Sequence, residues 1–249
     1  MIYGAFAEVY DRLMDDYDYD SWAEFYMWLL RKPGRPNQPV HAVECACGTG
    51  NLTVRFAKAG FRMTGIDSSA AMLRVAEEKS RRYGVEVTLA CCDMRRFRLG
   101  RPVDAVLATC DGVNYLLDGT DVCAFLSCAR SALRPGGLLC FDFSTRYKLE
   151  EIMGDRFLGE ERDGLAYLWQ NHTDVKRHII TMDLTCFVCE GDGRYRRFRE
   201  THRQRAHSVP EMSGWLKACG FSEVEMYGEM RNEDPKDTDT RIHVRAVSS

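Results

Sequence analysis

The 249-residue sequence predicts a doubly wound α/β fold: a seven-stranded, mostly parallel sheet with helices on both faces, carrying a small inserted antiparallel β-sheet. Three observations support this. Short apolar runs alternate with helical stretches from residue 40 onward, as βαβ units require. A tight turn, Cys47-Gly48-Thr49-Gly50, joins the first strand to the first crossover helix. Beyond about residue 150 the helices stop and a period-two pattern replaces them.

Each element can be justified in order. Residues 5–30 read as helix: Phe6, Val9, Tyr10, Leu13 and Met14 keep helical spacing, and Trp22, Phe25, Tyr26, Leu29 and Leu30 repeat it after the acidic break Asp15–Asp20. Lys32-Pro33-Gly34-Arg35-Pro36-Asn37 reads as a loop. Val40–Cys45 is the first strand, Leu52–Ala59 a helix, and Phe61–Ile66 the second strand. Ala70–Tyr83 is a helix capped by Ser68 or Ser69. Val85–Ala90, Ala105–Thr109 and Leu138–Phe143 are the third, fourth and fifth strands. The helix Asp121–Leu133 ends at Arg134-Pro135-Gly136-Gly137, which reads as a turn because it can neither continue a helix nor start a central strand. From Leu165 to Ala206 the residues alternate. Ile180, Met182, Leu184, Cys186 and Val188 share one face, Gly191-Asp192-Gly193 makes a hairpin, and Arg194–His202 returns. Helix Pro210–Cys219 and strands Phe221–Tyr227 and Arg241–Val247 follow, with Asn232–Thr240 as a polar loop. The chain thus divides into an N-terminal helical cap (1–36), an α/β domain built from 37–150 and 207–249, and the inserted sheet (151–206).

Composition narrows the function classes. Hydrophobic residues make up 45% and charged residues 29%, enough for a real core. The net charge of -3 gives no global attraction for nucleic acid or an anionic membrane. No apolar run approaches the roughly 20 residues of a membrane span, and no basic segment with an apolar core opens the chain as a secretory signal would. The 11 cysteines are an odd number, which fits reduced thiols in the cytoplasm. Cys45-x-Cys47 and Cys186-x-x-Cys189 are the tempting metal pairs. The second lies in a strand pattern where its members face opposite sides, and no further ligands complete either pair at zinc spacing, so no metal is expected.

The chemistry concentrates around the glycine turn. Ligands of open α/β sheets bind at the carboxyl ends of strands, and Gly48 and Gly50 allow backbone to approach a ligand closely. Glu44 ends the first strand, Asp67 the second and Asp93 the third, so three carboxylates line one sheet edge. Asp67 lies about 20 residues past the turn, where an acid hydrogen-bonds ribose hydroxyls. A nicotinamide dinucleotide would want a third glycine where the chain has Thr53, and Glu44 would repel its pyrophosphate. The same carboxylate would attract the ammonium of a methionine moiety. The charges therefore favour S-adenosylmethionine.

These features resemble the class I S-adenosylmethionine-dependent methyltransferases, whose fold is Rossmann-like. The match is closer to a bacterial subgroup marked by three elements: Tyr3-Gly4-Ala5-Phe6-Ala7-Glu8-Val9-Tyr10-Asp11, Cys110-Asp111-Gly112-Val113-Asn114-Tyr115, and Tyr167-Leu168-Trp169-Gln170-Asn171. The resemblance covers essentially the whole chain and implies a set of roles. Ala46, Gly48 and Gly50 pass along the methionine and ribose of the cofactor. Glu44 orients the amino group, Asp67 holds the ribose hydroxyls with Ser68 close by, Asp93 accepts from the adenine amino group, and Met94 packs on the ring. Cys110 and Asp111 lie under the sulfonium, and Tyr3 and Tyr10 close over the methionine end. Ala46 departs from the family's usual glycine, which is costly only if that residue needs a positive φ.

On the acceptor side no catalytic residue identifies itself. Asp111, Asn114, Tyr115, Trp169 and His172 are candidates for lining the acceptor site, with the inserted sheet as a lid over it. The arginines at 194, 196, 197, 199, 203 and 205 do not share one face and read as a solvated, charged edge. The expectation is an S-adenosylmethionine-dependent methyltransferase that moves a methyl group to a small molecule by in-line displacement. The alternatives are an RNA or protein methyltransferase, or a non-catalytic S-adenosylmethionine-binding module. Neither the acceptor atom nor the oligomeric state can be read from the sequence.

Overall fold

A computed structural model describes residues 4–31 and 41–248. Two helices, α1 (Ala7–Leu13) and α2 (Tyr19–Arg31), precede the α/β alternation. It runs β1 (His41–Cys45), α3 (Asn51–Lys58), β2 (Arg62–Asp67), α4 (Ala70–Tyr83), β3 (Val87–Cys91) and β4 (Val103–Ala108). A 3-10 turn (Gly112–Tyr115), α5 (Gly119–Ala132), β5 (Leu133–Ser144) and a π-helical segment (Tyr147–Met153) follow. The inserted strands are β6 (Phe157–Arg162), β7 (Leu165–Asp174), β8 (Ile179–Cys189) and β9 (Tyr195–Arg205). The chain closes with α6 (Val209–Ala218), β10 (Phe221–Gly228) and β11 (Arg241–Ser248).

The large sheet has the order β10-β11-β5-β4-β1-β2-β3, with β11 antiparallel to both of its neighbours. The chain leaves β1 toward β2 on one side and leaves β4 toward β5 on the other. The crevice of the sheet therefore opens between the carboxyl ends of β1 and β4. One face buries Val43, Val106, Phe141 and Phe143 under α5 and α6. The other buries Ala42, Leu107 and Cys140 under α2 and α3, through Tyr26, Leu29 and Phe56. Fully burying one such aromatic or leucine side chain contributes about 1.5–3 kcal/mol. Ser69 caps α4 by accepting the Met72 amide, and Ser208 with Glu211 forms a capping box on α6.

The structure departs from the sequence reading in four places. The N-terminal helical stretch is two helices, since Asp15–Asp18 breaks it. Arg134–Gly137 is no free turn: β5 starts at Leu133, which pairs with Val103, and the next pair is Ala105 with Leu138. The tetrapeptide bulges out opposite Asp104, with Gly136 at φ 73° and Arg134 ion-paired to Asp104 at 2.7 Å. The π-helical segment and β6 carry no clear period in the sequence; β6 is mostly exposed on both faces, so burial leaves no alternation to read. The Lys32–Asn37 loop and the Val40 strand start lie outside the described residues.

The inserted strands form an antiparallel meander, β6-β7-β8-β9. Ile180, Met182, Leu184 and Cys186 point inward as their alternation requires, and Glu190 closes the Gly191–Gly193 hairpin by donating its amide to the Arg194 carbonyl at 3.0 Å. The arginines of β9 are split. Arg197, Arg199 and Arg203 are exposed, whereas Arg196 pairs with Glu8 and Arg205 with Glu211.

One buried cluster ties these parts together. Arg241, the first residue of β11, contacts both Asp111 and Asp142. Asp142 is fully buried and accepts the Cys110 amide at 2.7 Å, the Asp111 amide at 3.0 Å and the Tyr26 hydroxyl at 3.1 Å. Lys148 of the π-helical segment adds a second cation, 3.4 Å from Asp111. Burial opposes charge on Asp111, but Arg241 and Lys148 hold its carboxyl well below the usual range. The Arg241 guanidinium also lies 4.8 Å from the centre of the Trp22 ring on α2. Replacing Arg241 with methionine strands Asp142 in the core and leaves Asp111 with Lys148 alone. The expected cost is about 3–5 kcal/mol, measured by urea denaturation at pH 7. A loss below about 1 kcal/mol would mean that the cluster does not hold the fold.

Candidate functional site

A cavity of about 300 Å³ sits at the carboxyl ends of β1, β2, β3 and β4. The 45–51 turn forms its floor, and Tyr10 of α1 and Tyr19 of α2 stand on its wall.

The two glycines of the turn do different work. Gly48 has φ 55° and open space where a side chain would be, so its backbone faces the cavity. Gly50 has φ 76°, and a Cβ there would come within 2.9 Å of the Ala76 Cβ. Gly50 therefore lets α3 and α4 pack closely and is not on the cavity wall. Ala46 lines the cavity at φ 52°, a left-handed conformation that disfavours an L side chain. Asp67 braces the turn, accepting the Gly48 amide at 2.9 Å and the Ser69 amide at 2.8 Å. These bonds oppose, without outweighing, the burial that raises its pKa. Its carboxylate still lines the cavity, beside exposed Ser68.

Glu44 is 2% exposed. Its carboxyl accepts from the hydroxyls of Thr53 and of Thr109, the latter at 2.7 Å across the β1–β4 crevice. Burial pushes its pKa up to about 7, against the two hydroxyl hydrogen bonds. Among the described residues no cationic side chain pairs with it. A buried carboxyl on a cavity wall without a counter-ion fits a ligand that brings an ammonium.

Asp93 and Met94 line the far end. Asp93 is held by Arg95, whose hydrogen bonds keep its carboxyl below the usual range, and Arg95 continues to Asp121 at 2.7 Å. Cys110, at φ 57°, lines the cavity together with Tyr10, Tyr115 and Leu116.

Of the residues singled out from sequence, Tyr10, Glu44, Ala46, Gly48, Asp67, Ser68, Asp93, Met94, Cys110 and Tyr115 meet on this cavity. Tyr3 lies outside the described residues. Asp111 belongs to the Arg241 cluster. Asn114 is fully buried and clips backbone, donating to the Ser144 carbonyl at 3.0 Å and the Arg205 carbonyl at 2.8 Å and accepting the Ser144 amide at 2.8 Å. Trp169 donates its indole N–H to Asn171 at 2.6 Å within the inserted sheet, and His172 is exposed on the same strand.

The sequence reading missed Tyr19, Thr53, Thr109, Arg95 and Asp11. Thr109 was within reach: Glu44 is opposite Leu107, and two residues on is the same side of a strand. Asp11 closes the N-terminal element quoted above, which gave it no role. It accepts from Thr49 at 2.7 Å and Asn51 at 2.9 Å and pairs with Lys79 at 2.7 Å, clamping α1 over the turn.

Comparison with known proteins points one way. Residues 42–137 match the profile of a methyltransferase domain family. A methyltransferase-family protein of Geobacillus sp. (strain WCH70) is 33% identical over 97% of this chain and 98% of its own. A dTDP-3-amino-3,4,6-trideoxy-alpha-D-glucopyranose N,N-dimethyltransferase of Streptomyces venezuelae is 27% identical over 86% of this chain and 89% of its own. The crystal structure of an S-adenosylmethionine-dependent methyltransferase from Clostridium acetobutylicum superposes with a TM-score of 0.87 at 28% identity, covering 98% of both chains.

The strained alanine gives a direct test of the turn. Ala46→Gly should stabilise the protein by about 1 kcal/mol, the left-handed penalty less the extra backbone entropy of glycine. Thermal or urea unfolding measures it, and a destabilised variant would contradict the positive φ.

Proposed function

The chain belongs to the class I S-adenosylmethionine-dependent methyltransferases, and on that footing we propose that it methylates a small molecule at a site between the 45–51 turn and the inserted sheet. The observation that carries the reading is the cavity wall itself, where Glu44, Asp67 and Asp93 follow one another along the ends of β1, β2 and the strand beside it.

The bound cofactor supplies a sulfonium-linked methyl group for in-line displacement. The chain's residues bind and align it. Glu44 takes the amino group, in agreement with its buried and otherwise unmatched carboxyl. Asp67 accepts from the ribose hydroxyls with lone pairs left over from its two backbone bonds. Asp93, oriented by Arg95, and Met94 take the adenine end. The Gly48 backbone lets the ligand lie close to the turn. Cys110, Tyr10 and Tyr19 bound the methyl-donating end and exclude water there.

Two features support a small acceptor. The Streptomyces venezuelae relative is named as an enzyme acting on a nucleotide-linked amino sugar, and its similarity runs through most of this chain, inserted residues included. The arginines of β9 are divided between two faces and partly ion-paired, so they make no continuous basic track. In this reading residues 151–206 are a lid on the acceptor side. All eleven thiols are free, which supports a cytoplasmic location. No described helix is long and apolar enough to cross a membrane.

Calorimetry with S-adenosylhomocysteine and a labelled-methyl assay over amines, amino sugars, hydroxyls, thiols and RNA test the proposal together. Transfer to RNA or protein alone would refute the small-molecule acceptor. Asp67→Asn should weaken S-adenosylhomocysteine binding by about 1–3 kcal/mol, because the amide presents a donor where two are already aimed. Unchanged affinity would remove Asp67 from the ribose site.

The Glu44 pKa makes binding pH-dependent. The free carboxyl titrates near pH 7, and a neighbouring ammonium favours its charged form. Binding therefore releases a proton at and below neutrality. Affinity should rise with pH up to about 7 and level off above. Titrations in buffers of different ionisation enthalpy count that proton, and Glu44→Gln should abolish the release. Equal release by the variant would assign the proton elsewhere.

A further inference from the structure

The inserted sheet has two edges, and they are built differently. β9 carries the exposed Arg197, Arg199 and Arg203, charges of the kind that keep an edge from pairing with another strand. β6 opens with Phe157-Leu158-Gly159, which has no charge and no proline, and its register with β7 runs without a bulge. Phe157 is 61% exposed and Leu158 46%, and Leu168, opposite Gly159 on β7, is 44% exposed. These are three of the seven large apolar side chains exposed among the described residues, so apolar exposure gathers on this edge. No described strand pairs with its outer side.

Two hydrogen bonds fix which backbone groups that side presents. Arg156 accepts the Asn171 amide at 2.9 Å, so these two residues are a hydrogen-bonded pair that continues the β6–β7 ladder. Gly164 accepts the Cys189 amide at 2.8 Å on the other side of β7, which sets the same alternation from β8. Hydrogen-bonded pairs alternate along an antiparallel ladder. Leu158 and Glu160 therefore turn their N–H and C=O groups to β7, and Phe157, Gly159 and Glu161 turn theirs outward.

From this geometry we propose that β6 pairs antiparallel with β6 of a second copy of this chain, joining two four-stranded sheets into one. The pairing does not depend on which acceptor is methylated.

Self-complementarity points to a second copy. A two-fold axis normal to the sheet keeps the outer face on the same side in both copies. In the register centred on Leu158, that residue stands opposite the partner's Leu158, and Phe157 stands opposite the partner's Gly159, twice by symmetry. The glycine leaves its outer face open, so the ring lies over it and beside the partner's Leu168. On the other face Arg156, exposed and without an ion pair among the described residues, meets the partner's Glu160. Sliding by one step sets Phe157 and Leu158 against the partner's Glu161 and the partner's Glu160. Sliding the other way sets Leu158 against the partner's Arg156. The one unfavourable pair of the central register, Asp155 opposite the partner's Glu161, is exposed and costs little. A short strand with three apolar side chains covers about 1,000 Å² in total, the low end for a specific interface, so the dimer is a weak one.

Sedimentation over about 1–300 μM reads the dimer directly, with a midpoint expected at about 1–100 μM. Phe157→Lys puts a charge on the exposed edge and should weaken the dimer at least about tenfold, with S-adenosylhomocysteine binding as in wild type. Leu158→Cys, oxidised with glutathione disulfide, should give a covalent dimer whose cross-linked peptide joins position 158 to position 158, since residues of a non-hydrogen-bonded pair lie within disulfide reach. Glu161→Cys should not, because its two copies lie toward opposite ends of the paired strands. A wild type that stays monomeric through the range overturns the proposal and leaves the edge to a different chain. A dimer that Phe157→Lys leaves intact, or one that cross-links at 161 and not at 158, places the interface elsewhere and overturns it as well.

Discussion

Two carboxylates at the carboxyl edge of the sheet, the buried Asp142 and the half-buried Asp111, share one guanidinium, Arg241, with Lys148 as a second cation beside Asp111. The rest of the site is built from that pairing. Burial raises the Asp142 pKa, Arg241 opposes that rise, and the carboxyl facing Arg241 accepts the Cys110 and Asp111 amides. Those two residues have φ values of 57° and 64°, a conformation that non-glycine residues adopt only when their surroundings hold them. The end of the cavity wall at Cys110 is thus set by an ion pair behind it. Strand direction makes the pairing possible. Arg241 begins β11, and because β11 runs antiparallel to β5 its first residue reaches the carboxyl edge and pairs with Ser144. A parallel seventh strand would deliver its last residue there instead.

Along the cofactor edge, similar residues serve different ends. Glu44 is an acid in a dry setting, held by two hydroxyls and titrating near neutrality. Asp67 is also buried, but it spends two lone pairs bracing the glycine turn. Asp93 is only partly buried and is kept charged by Arg95. The edge therefore grades from a carboxyl that can be neutral to one that is firmly anionic. That matches a ligand with a cation at one end and a neutral heterocycle at the other. The glycines divide similarly, Gly48 toward the cavity and Gly50 toward α4.

Much of this was legible in the sequence. The seven strands of the large sheet, the glycine turn and the strand-end carboxylates came from periodicity and from where acids interrupt apolar runs. What escaped has physical causes. β6 is exposed on both faces and so has no alternation to detect. Arg134-Pro135-Gly136-Gly137 looks like a free turn because Pro and Gly signal local geometry, whereas its bulge is defined by partners on β4. Asp111 and Asn114 looked like site residues because they follow β4, but buried partners from β5, β9 and β11 engage them.

The Asn114 amide has a further consequence. It binds the Ser144 end of β5, where the chain departs for the inserted strands, and the Arg205 carbonyl, where it comes back. Departure and return are thus stapled to one side chain on the core, a few residues apart in space and some sixty apart in the chain. The strands between those two points are also tied to α1 and to Met72 through Leu165, Leu184 and Cys186, and α1 in turn is clamped to the glycine turn by Asp11. An exchange of those strands would therefore have to keep their apolar face matched to Phe6, Ala7 and Val9, so the inserted strands and α1 are bound to change together.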